Sequence, residues 1–368
     1  MKNFILHIPT KIIYGKRKIS SLTSELPSNT KNILIVTDKV ISEKTDILTK
    51  IESSLEQYKI IVFNEVEANP SYETVGNGAA LSKENNVDFV IGLGGGSSMD
   101  AAKGIAVAAA NSKSIKEYVS GEAMECDPLP VVCLPTTSGT GSEVTPFAVF
   151  SDNKNKTKNG FANDKIFPIF SIIDPELTYS MPESVTLYTG LDVLTHALEA
   201  YLSTESFELN DQYALKAAEI VIDNLPEAAK NNFDAMDRMA YASMLAGVAI
   251  THASTILPHI MGYPLTVYHN IPHGLASVLT FPAFIDYLKE YSLAADKVKQ
   301  IDRLFIKYGG IKQFIEQLGV SANLSEYKIK KSEIDNFVSK TIVKGDVQIT
   351  PGNVTADVIY KIFEKSFI

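Results

Sequence analysis

Three histidines and one aspartate between positions 192 and 273 have the chemistry of metal ligands. Asp192 and His196 stand four positions apart in the apolar-periodic run LDVLTHALEAYL, so a helix there would present both side chains on one face. His259 and His273 follow, fourteen positions apart, in PHIMGYPLTVYHNIPHG. Three imidazoles and one carboxylate suit a divalent zinc or iron ion and still leave a coordination position for a substrate. The pattern therefore predicts a catalytic metal site.

The surroundings of Asp192 and His196 favour this interpretation over a helix-surface contact, which the same spacing also produces. The segment around them is apolar, and an unpaired buried carboxylate there would be costly. Glu199, three positions after His196, fits either a partner of a ligand or a surface contact. His7 and His252 have no partner at a useful spacing and are predicted to be structural.

A glycine run follows a predicted strand in the first half of the chain. The strand VDFVIGL leads into Gly94-Gly95-Gly96-Ser97-Ser98 and then into a helical pattern of small residues, MDAAKGIAVAAAN. Glycines let the backbone approach a phosphate, and a helix N-terminus offers N–H groups to it. Because the run is not the GxGxxG fingerprint, it alone is also consistent with a turn that binds no ligand.

Other polar segments end the neighbouring predicted strands. Asp38 ends NILIVTD, where a carboxylate can accept from ribose hydroxyls and disfavour a 2′-phosphate. Asn69-Pro70 follows IIVFNEVEA, and the hydroxyl-rich stretch 136–143 follows PVVCLP. Ligands of open α/β sheets bind outside the carboxyl ends of the strands. Each segment alone is ordinary turn chemistry, but together they predict a nucleotide site.

Two kinds of pattern position these residues. Short β-branched runs alternate with amphipathic stretches up to about residue 180, which predicts an N-terminal Rossmann-like, doubly wound α/β domain over 1–180. Helical patterns then dominate, which predicts an all-helical, metal-binding C-terminal domain over 181–368. The polar segment 152–160 is predicted as a loop or hairpin turn. The predicted strands are 32–38, 60–66, 87–95, 130–135 and 167–174, and the predicted helices are 41–57, 71–86, 183–203, 208–230, 235–256, 274–290, 294–308 and 355–366.

Composition limits the class of protein. Of the 368 residues, 45% are hydrophobic and 21% charged, which is typical of a globular chain. A net charge of −9 argues against nucleic acid as a partner. Cys126 and Cys133 are predicted to be reduced thiols. No run has the length of a signal peptide or a membrane span, so we predict a soluble cytoplasmic protein.

Taken in order, the motifs resemble the iron-containing (group III) alcohol dehydrogenases over essentially the whole chain. The combination is far more specific than any single piece. The resemblance implies the dehydroquinate synthase-like architecture, with NAD(P) bound by the first domain, the metal by the second, and an active site in the cleft between them. The matching segments are Asp38, Asn69-Pro70, GGGSSMDAAK (94–103), PTTSGTGSE (135–143), Asp174-Pro175, GLDVLTHALEAY (190–201), His259 and PHG (272–274).

The resemblance also implies a role for each site residue. It assigns Fe2+, or Zn2+, to the four ligands Asp192, His196, His259 and His273. An acid at position 38 is associated with NAD(H) rather than NADP(H). Asp100 and Thr137 belong to the same two nucleotide motifs and are added as cofactor-binding candidates. The remaining cofactor contacts are Gly95, Gly96 and Ser97 for the pyrophosphate, and Asp38, Asn69, Thr136, Thr140 and Lys158 for the nucleotide.

One position departs from the family pattern. Many members carry a second histidine four residues after the third ligand, in His-Pro-Leu-Gly, and it is discussed as a proton relay. Here the segment is Tyr263-Pro-Leu-Thr266, which resembles a subgroup that includes reductases of phosphono- and sulfoacetaldehyde. Tyr263 and His269 are the candidates for moving the proton, and for His269 a structural role at the rim is equally consistent.

The resemblance implies hydride transfer between nicotinamide and a small primary alcohol or aldehyde, with the metal as Lewis acid. The alternatives are reduction of a charged aldehyde, a polyol or glycerol-type dehydrogenase, a dehydroquinate synthase-like lyase, and a non-catalytic redox sensor that binds nucleotide. The Asp-x3-His and His-x13-His spacings favour the alcohol dehydrogenase. A homodimer or larger homo-oligomer is also expected, with FILHIPTKIIYG as a candidate exchanged strand.

Overall fold

The computed structural model describes residues 2–367, and they form two compact units. One unit is His7–Met181, and the other is the chain from Pro182 onward together with the residues before His7. The first contains a parallel sheet with helices, and the described part of the second contains helices without a strand. This architecture confirms the predicted fold class.

The strands of the first unit are β1 Lys11–Tyr14, β2 Asn32–Val36, β3 Lys59–Phe63, β4 Phe89–Gly94, β5 Val131–Pro135, β6 Phe147–Asp152, β7 Thr157–Ala162 and β8 Phe170–Ile173. Six of them form a sheet in the order β1-β8-β5-β4-β2-β3, and its neighbouring strands are parallel. Side chains of one strand alternate between two cores, since Ile33 and Ile35 of β2 join one cluster while Leu34 and Val36 join the other. Both faces are therefore buried, as expected for a doubly wound sheet.

Two local predictions in this unit need correction. The single helix predicted over 41–57 is two helices, because Thr45 is extended and ends the first of them. Of the loop or hairpin turn predicted over 152–160, the structure contains a hairpin turn, but only at residues 153–156, since β6 and β7 pair up to Asp152 and Thr157. The helices of this unit are α1 Leu22–Glu25, α2 Lys39–Lys44, α3 Ile47–Ser54, α4 Tyr72–Glu84, α5 Gly96–Ala110 and α6 Ile115–Val119.

Up to residue 367, the second unit contains three helices outside the predicted ranges: α10 (Leu257–His269), α14 (Ile311–Gln317) and α15 (Ile334–Thr341). Helix α10 includes Pro258, Gly262 and Pro264, which interrupt its apolar periodicity. Pro258 lies in the first turn, where its missing N–H costs little. The helix predicted over 274–290 is two helices that meet at Thr280, with Pro282 in the first turn of the second. The helices are α7 Glu183–Leu202, α8 Glu208–Ala228, α9 Phe233–Ala253, α10 Leu257–His269, α11 His273–Leu279, α12 Phe281–Glu290, α13 Ala295–Leu304, α14 Ile311–Gln317, α15 Ile334–Thr341 and α16 Ala356–Lys365.

The first residues of the chain pack on the helical unit. The ring of Phe4 stacks on that of Phe207 at 4.2 Å, and Lys2 donates to the carbonyl of Thr204. Within residues 2–367, no single helix has the length and apolar character to cross a membrane; α9 and α10 meet that test only jointly, with a 109° bend between them.

Candidate functional site

Helix α7 carries three chemically active side chains on one face. Asp192, His196 and Glu199 are spaced four and three residues apart, which aligns them along a helix. All three are buried, and Glu199 has no exposed surface. α7 therefore presents two carboxylates and an imidazole to the interior of the unit.

Two glycines allow the neighbouring helices to approach these side chains. A Cβ on Gly274, the second residue of α11, would lie 2.1 Å from the carbonyl oxygen of Tyr188 and 2.7 Å from the Cβ of Asp192. A Cβ on Gly262 of α10 would lie 3.0 Å from the α11 backbone. Because both positions lack a side chain, α11 packs directly on α7 and α10. This packing brings His273, at the start of α11, toward Asp192.

The four predicted ligands gather where these helices meet. One potential ligand atom from each of Asp192, His196 and His259 lies within 4.8 Å of the others. The rings of His196 and His259 stack with their centroids 4.5 Å apart, and the His273 ring is 5.3 Å from that of His259. His273 lies outside the tight group of three but beside it.

The polar atoms of this cluster fit a cation. Nε2 of His259 and Oδ1 of Asp192 are buried 3.4 Å apart, and neither has a hydrogen-bond partner with acceptable geometry among residues 2–367. Unpaired buried polar atoms are costly, and an ion bound to both would remove that cost. On the other side of the ring, Nδ1 of His259 lies 2.7 Å from Oε1 of Glu199. A proton on Nδ1 would leave the Nε2 lone pair for a metal.

Glu199 also fixes the start of α10. Its Oε2 accepts from the backbone N–H of Ile256 at 2.7 Å and from that of His259 at 3.4 Å. These N–H groups belong to the N-cap and first turn of α10, where a carboxylate is favourable. The sequence left open whether Glu199 is a partner of a ligand or a surface residue, and the structure shows it as a buried partner of His259.

The buried carboxylates of the cluster favour a positive charge beside them. Burial alone would raise the pKa of Asp192, but the imidazoles around it hold that pKa below its usual range. Burial opposes a charge on His259, yet the carboxylates of Glu199 and Asp192 raise its pKa to about 10. Two buried carboxylates thus draw a proton onto His259 when no other cation is near. A divalent cation could supply that charge instead and leave the imidazole neutral.

The two proton-transfer candidates occupy different environments. Tyr263 lies one turn after His259 on α10, with its ring 5.9 Å from that of His273. His269 lies at the end of α10, where its Nε2 is 2.9 Å from Oε1 of Glu333 and its ring meets the edge of Phe337. It also lines a cavity of about 290 Å³ with residues 270–272. These contacts favour a structural role for His269 and leave Tyr263 beside the cluster.

The other histidines lie outside the ligand set, as predicted. His252 places its Nδ1 2.9 Å from the carbonyl oxygen of Val248, one turn earlier on α9. His7 packs edge-on against Phe167 in the first unit.

The sheet of the first unit has a topological switch point. The chain passes from β2 to β3 on one side, and then to β4, on the other side of β2, and onward to β5. At the carboxyl ends of β2 and β4 the connections therefore diverge, which leaves a crevice where α/β proteins bind ligands. Asp38 follows β2, and the glycine run follows β4.

The glycine run lies close to the stretch of threonines after β5. Gly95 is the N-cap of α5, and Gly96 is its first residue. A Cβ on Gly95 would lie 3.3 Å from the Thr137 side chain, and one on Gly96 would lie 2.4 Å from that of Thr140. Thr136 donates its N–H to the carbonyl of Gly94 at 3.0 Å. The N-terminus of α5 and the threonines thus form one continuous surface of N–H and hydroxyl groups.

The other predicted cofactor residues surround this surface. Asp38 caps α2 through Oδ1, which accepts from two backbone N–H groups, and its Oδ2 lies next to Gly94. Asn69, with a φ of 59°, donates its N–H to the Ser97 hydroxyl at 3.0 Å. Lys158 is buried in β7 opposite Ser151.

Asp100, which is predicted to contact the cofactor, hydrogen-bonds to two groups of the protein. Its Oδ1 accepts from the Ser142 hydroxyl at 2.7 Å, and its Oδ2 accepts from the Val149 N–H at 2.9 Å. Both carboxylate oxygens thus accept hydrogen bonds from the protein, so Asp100 holds a neighbouring segment in place. Its partner in this task, Lys103, was not predicted as functional, although a lysine in a helix of small residues is a recognisable exception.

Family comparisons agree with this geometry. The iron-containing alcohol dehydrogenase model matches residues 9–175, and the model of the C-terminal region of Fe-containing alcohol dehydrogenases matches residues 186–367. Alcohol dehydrogenase 4 of Schizosaccharomyces pombe is 37% identical over 74% of this chain and 66% of its own length, slightly less than two thirds.

Solved structures show the same likeness over nearly the full chain. An iron-containing alcohol dehydrogenase from Thermotoga maritima has a TM-score of 0.92 at 34% identity, covering 99% of both chains. A sulfoacetaldehyde reductase from Bifidobacterium kashiwanohense, in complex with NAD+, has a TM-score of 0.92 at 29% identity, covering 100% of this chain and 99% of that one. The chain belongs to the iron-containing alcohol dehydrogenase family and is an oxidoreductase of the kind that acts on CH–OH groups.

Proposed function

We propose that this chain is a metal-dependent, NAD(H)-linked dehydrogenase that interconverts a small primary alcohol and its aldehyde. The observation that carries the proposal is the buried pair of His259 Nε2 and Asp192 Oδ1, 3.4 Å apart, beside two further imidazoles. Burying two such polar atoms destabilises the fold unless a cation binds them, and a cation bound there can act as a Lewis acid. In this proposal residues 1–180 bind the dinucleotide and residues 181–368 bind the metal.

Asp192, His196, His259 and His273 would hold the ion. When bound, Fe2+ or Zn2+ supplies Lewis acidity toward a substrate oxygen, and the nicotinamide supplies the hydride chemistry. Glu199 holds His259 in the tautomer that ligates, and the apolar packing of α7 excludes water from the ligands. We assign the proton transfer to the phenol oxygen of Tyr263, the candidate whose ring lies beside His273.

The choice of metal follows the same logic. Imidazole and carboxylate ligands accept either iron or zinc, and three imidazoles with one carboxylate suit Fe2+ without excluding Zn2+. We propose Fe2+ as the resident ion, with Zn2+ as a substitute.

NAD(H) is the proposed dinucleotide. A carboxylate at the end of β2, beside the glycine run, can accept from a ribose 2′-hydroxyl and repels a 2′-phosphate. Asp38 has this position, with its Oδ2 next to Gly94. The oligomeric state and the cytoplasmic location stay predictions from the sequence.

A charged aldehyde is the second candidate substrate. Tyr263 stands where many family members have a histidine, and in this it resembles the subgroup that includes reductases of sulfo- and phosphonoacetaldehyde. One structural neighbour is itself a sulfoacetaldehyde reductase. The difference at this position, beside His273, would alter the pocket without altering the ligands.

The test is an NADH oxidation assay with metal-loaded protein. The panel contains uncharged short aldehydes together with sulfonate- and phosphonate-bearing aldehydes of matched length. Oxidation of NADH with the uncharged aldehydes supports the first candidate, and selective oxidation with the charged ones supports the second. If no carbonyl compound is reduced and no alcohol is oxidised, the proposed function is wrong.

A further inference from the structure

Lys103 is a lysine with no exposed surface, on the face of α5 that meets the segment after the threonines. Its ammonium donates to the carbonyl of Ser142 at 2.7 Å, the hydroxyl of Ser142 at 2.9 Å, the carbonyl of Thr145 at 2.9 Å and that of Phe147 at 2.8 Å. An unpaired buried ammonium would be strongly destabilising, so this shell of oxygens keeps Lys103 in place.

Asp100, one turn earlier on α5, binds the same segment. The Ser142 hydroxyl donates to its Oδ1 at 2.7 Å and accepts from Lys103, so one hydroxyl joins both charged side chains. The other oxygen of Asp100 accepts from the N–H of Val149, on β6. α5 therefore binds the segment 142–149 through two side chains, the carboxylate of Asp100 and the ammonium of Lys103.

This segment is the continuation of the threonine stretch that lies on the glycine run. The N–H of Ser142 donates to the hydroxyl of Thr140 at 3.2 Å, and the Thr140 side chain packs where a Cβ on Gly96 would lie. Ser142 thus connects the two buried charged side chains to the residues at the N-terminus of α5. Movement of Ser142 would displace Thr140 from the glycine run.

A direct role for Lys103 in binding a phosphate does not fit these contacts. An ammonium has three N–H donors, and four protein oxygens already lie within hydrogen-bond distance of this one. The side chain also has no exposed surface through which a ligand could reach it.

We propose that Lys103, with Asp100, is a positioning residue for the dinucleotide: it holds the threonine stretch 136–141 against the N-terminus of α5 in the geometry that binds the pyrophosphate. The inference rests on the proposed function, because it takes the glycine run as the pyrophosphate site. It predicts that removing the ammonium weakens cofactor binding while the metal centre, in the other unit, stays intact.

The experiment compares Lys103→Met with the parent enzyme, both metal-loaded. Methionine keeps much of the volume of the side chain and removes its donors. We expect the Kd for NADH, measured by fluorescence titration, to rise at least about tenfold, as for the loss of about 1.4 kcal/mol. The KM for NADH should rise with it, kcat at saturating NADH should stay within about threefold, and metal content should be unchanged. Hydrogen exchange should accelerate in 136–147 and slow again on addition of saturating NADH.

Lys83→Met is the matched control. Lys83 lies in the same unit and also donates to a backbone carbonyl, that of Asn111, but it does not contact the threonine stretch or its continuation. Its Kd for NADH and its exchange in 136–147 should equal those of the parent.

The outcomes separate this inference from the proposed function. If the parent enzyme binds no NADH, the proposed function is wrong. In that case, hydrogen exchange in 136–147 that is the same in Lys103→Met as in the parent would also show that Lys103 does not hold the threonine stretch. If the parent binds and Lys103→Met binds equally well, the inference alone is wrong. If Lys103→Met does not fold, Asp100→Asn is measured instead. A raised Kd for NADH with an unchanged metal content supports the positioning role, and a Kd equal to that of the parent contradicts it.

Discussion

Glu199 shows how one side chain can serve a metal ligand and a helix together. Its two oxygens hold the Nδ1 of His259 and the N-terminal N–H groups of α10. The residue that binds the ligand therefore also sets the position of the helix that carries it. A ligand set described without Glu199 would omit the group that fixes the tautomer of His259.

We expect Glu199→Gln to lower metal affinity about 10- to 100-fold, because partners of ligands contribute on this scale. The neutral amide removes a buried negative charge and can offer N–H donors where the carboxylate only accepts. Competition with a graded series of chelators measures the affinity without reference to activity. Glu205→Gln, an exposed carboxylate just after α7, is the control and should bind metal like the parent. Equal affinity of parent and Glu199→Gln would contradict the assigned role.

Asp38 permits a test of cofactor choice. Asn at this position keeps an N-cap acceptor for α2, so the fold should tolerate Asp38→Asn. The loss of the charge should raise kcat/KM for NADPH relative to NADH by about tenfold, on the order of one charge repulsion at a partly exposed site. Steady-state rates with both cofactors give the ratio. A ratio equal to that of the parent would remove Asp38 from the determinants of cofactor choice.

The residue types of the site were largely predictable from the sequence, and their partners were not. Asp192 and His196 stand out because charged and polar groups interrupt an apolar helix. Lys103 was not predicted as a functional residue because most of its partners are backbone carbonyl oxygens, and contacts with the backbone cannot be inferred from the sequence. Asp100 was predicted to contact the cofactor because it lies near the glycine run, although its hydrogen bonds run to Ser142 and Val149.

At the scale of elements, glycines set the distance between the helices that carry the ligands. Gly274 places the start of α11 against α7, and Gly262 places α10 against α11. A contact between Thr195 of α7 and Ser277 of α11, with their hydroxyls 3.2 Å apart, reinforces the same junction. The cluster thus depends on close helix packing as much as on the ligands themselves.

Gly274→Ala tests this dependence. The added Cβ would meet the Tyr188 carbonyl at 2.1 Å, so α11 must move away from α7. We expect a loss of about 1–3 kcal/mol in the free energy of unfolding, typical of overpacking, together with weaker metal binding. Gly76→Ala is the control, because a Cβ there meets nothing within 4 Å and alanine favours a helix. Parental stability and metal affinity in Gly274→Ala would show that the junction is not tight.

Element prediction failed where one physical preference overrode another. α10 forms despite two prolines and a glycine because Glu199 caps it and its apolar side chains are buried. A hairpin turn was one of the two alternatives predicted at 152–160, but the strands β6 and β7 were not predicted, because a polar, lysine- and asparagine-rich strand resembles a loop in composition. Five of the six strands of the central sheet were predicted, because their sequences are continuously apolar, as expected for strands packed between helices. The edge strand β1 was not among them, and its side chains are partly exposed.

At the scale of the whole molecule, buried charge should make stability depend on pH. Burial raises the pKa of Glu143 to about 7, against the opposing effect of Lys103. Below about pH 4.5 this carboxyl is protonated in both the folded and the unfolded chain, so it does not change the free energy of unfolding with pH. As pH rises toward 7 the unfolded chain releases the proton first, so stability falls, and above pH 7 the loss levels off.

Glu143→Gln should therefore stabilise the protein more at pH 8 than at pH 5, by about 2–3 kcal/mol at most. Denaturant unfolding at the two pH values measures the difference. An equal effect at both would mean that Glu143 titrates normally in the folded chain.

The proposed function depends above all on Asp192, His196, His259 and His273 holding one catalytic ion. Its most direct test is metal analysis, after anaerobic purification, of the parent and of a His259→Ala/His273→Ala variant, with NADH-linked activity measured on the same samples. The parent should contain close to one Fe or Zn per chain, and the variant should lose both the metal and the activity. A parent that is active without metal, or a variant that keeps full activity, would contradict it.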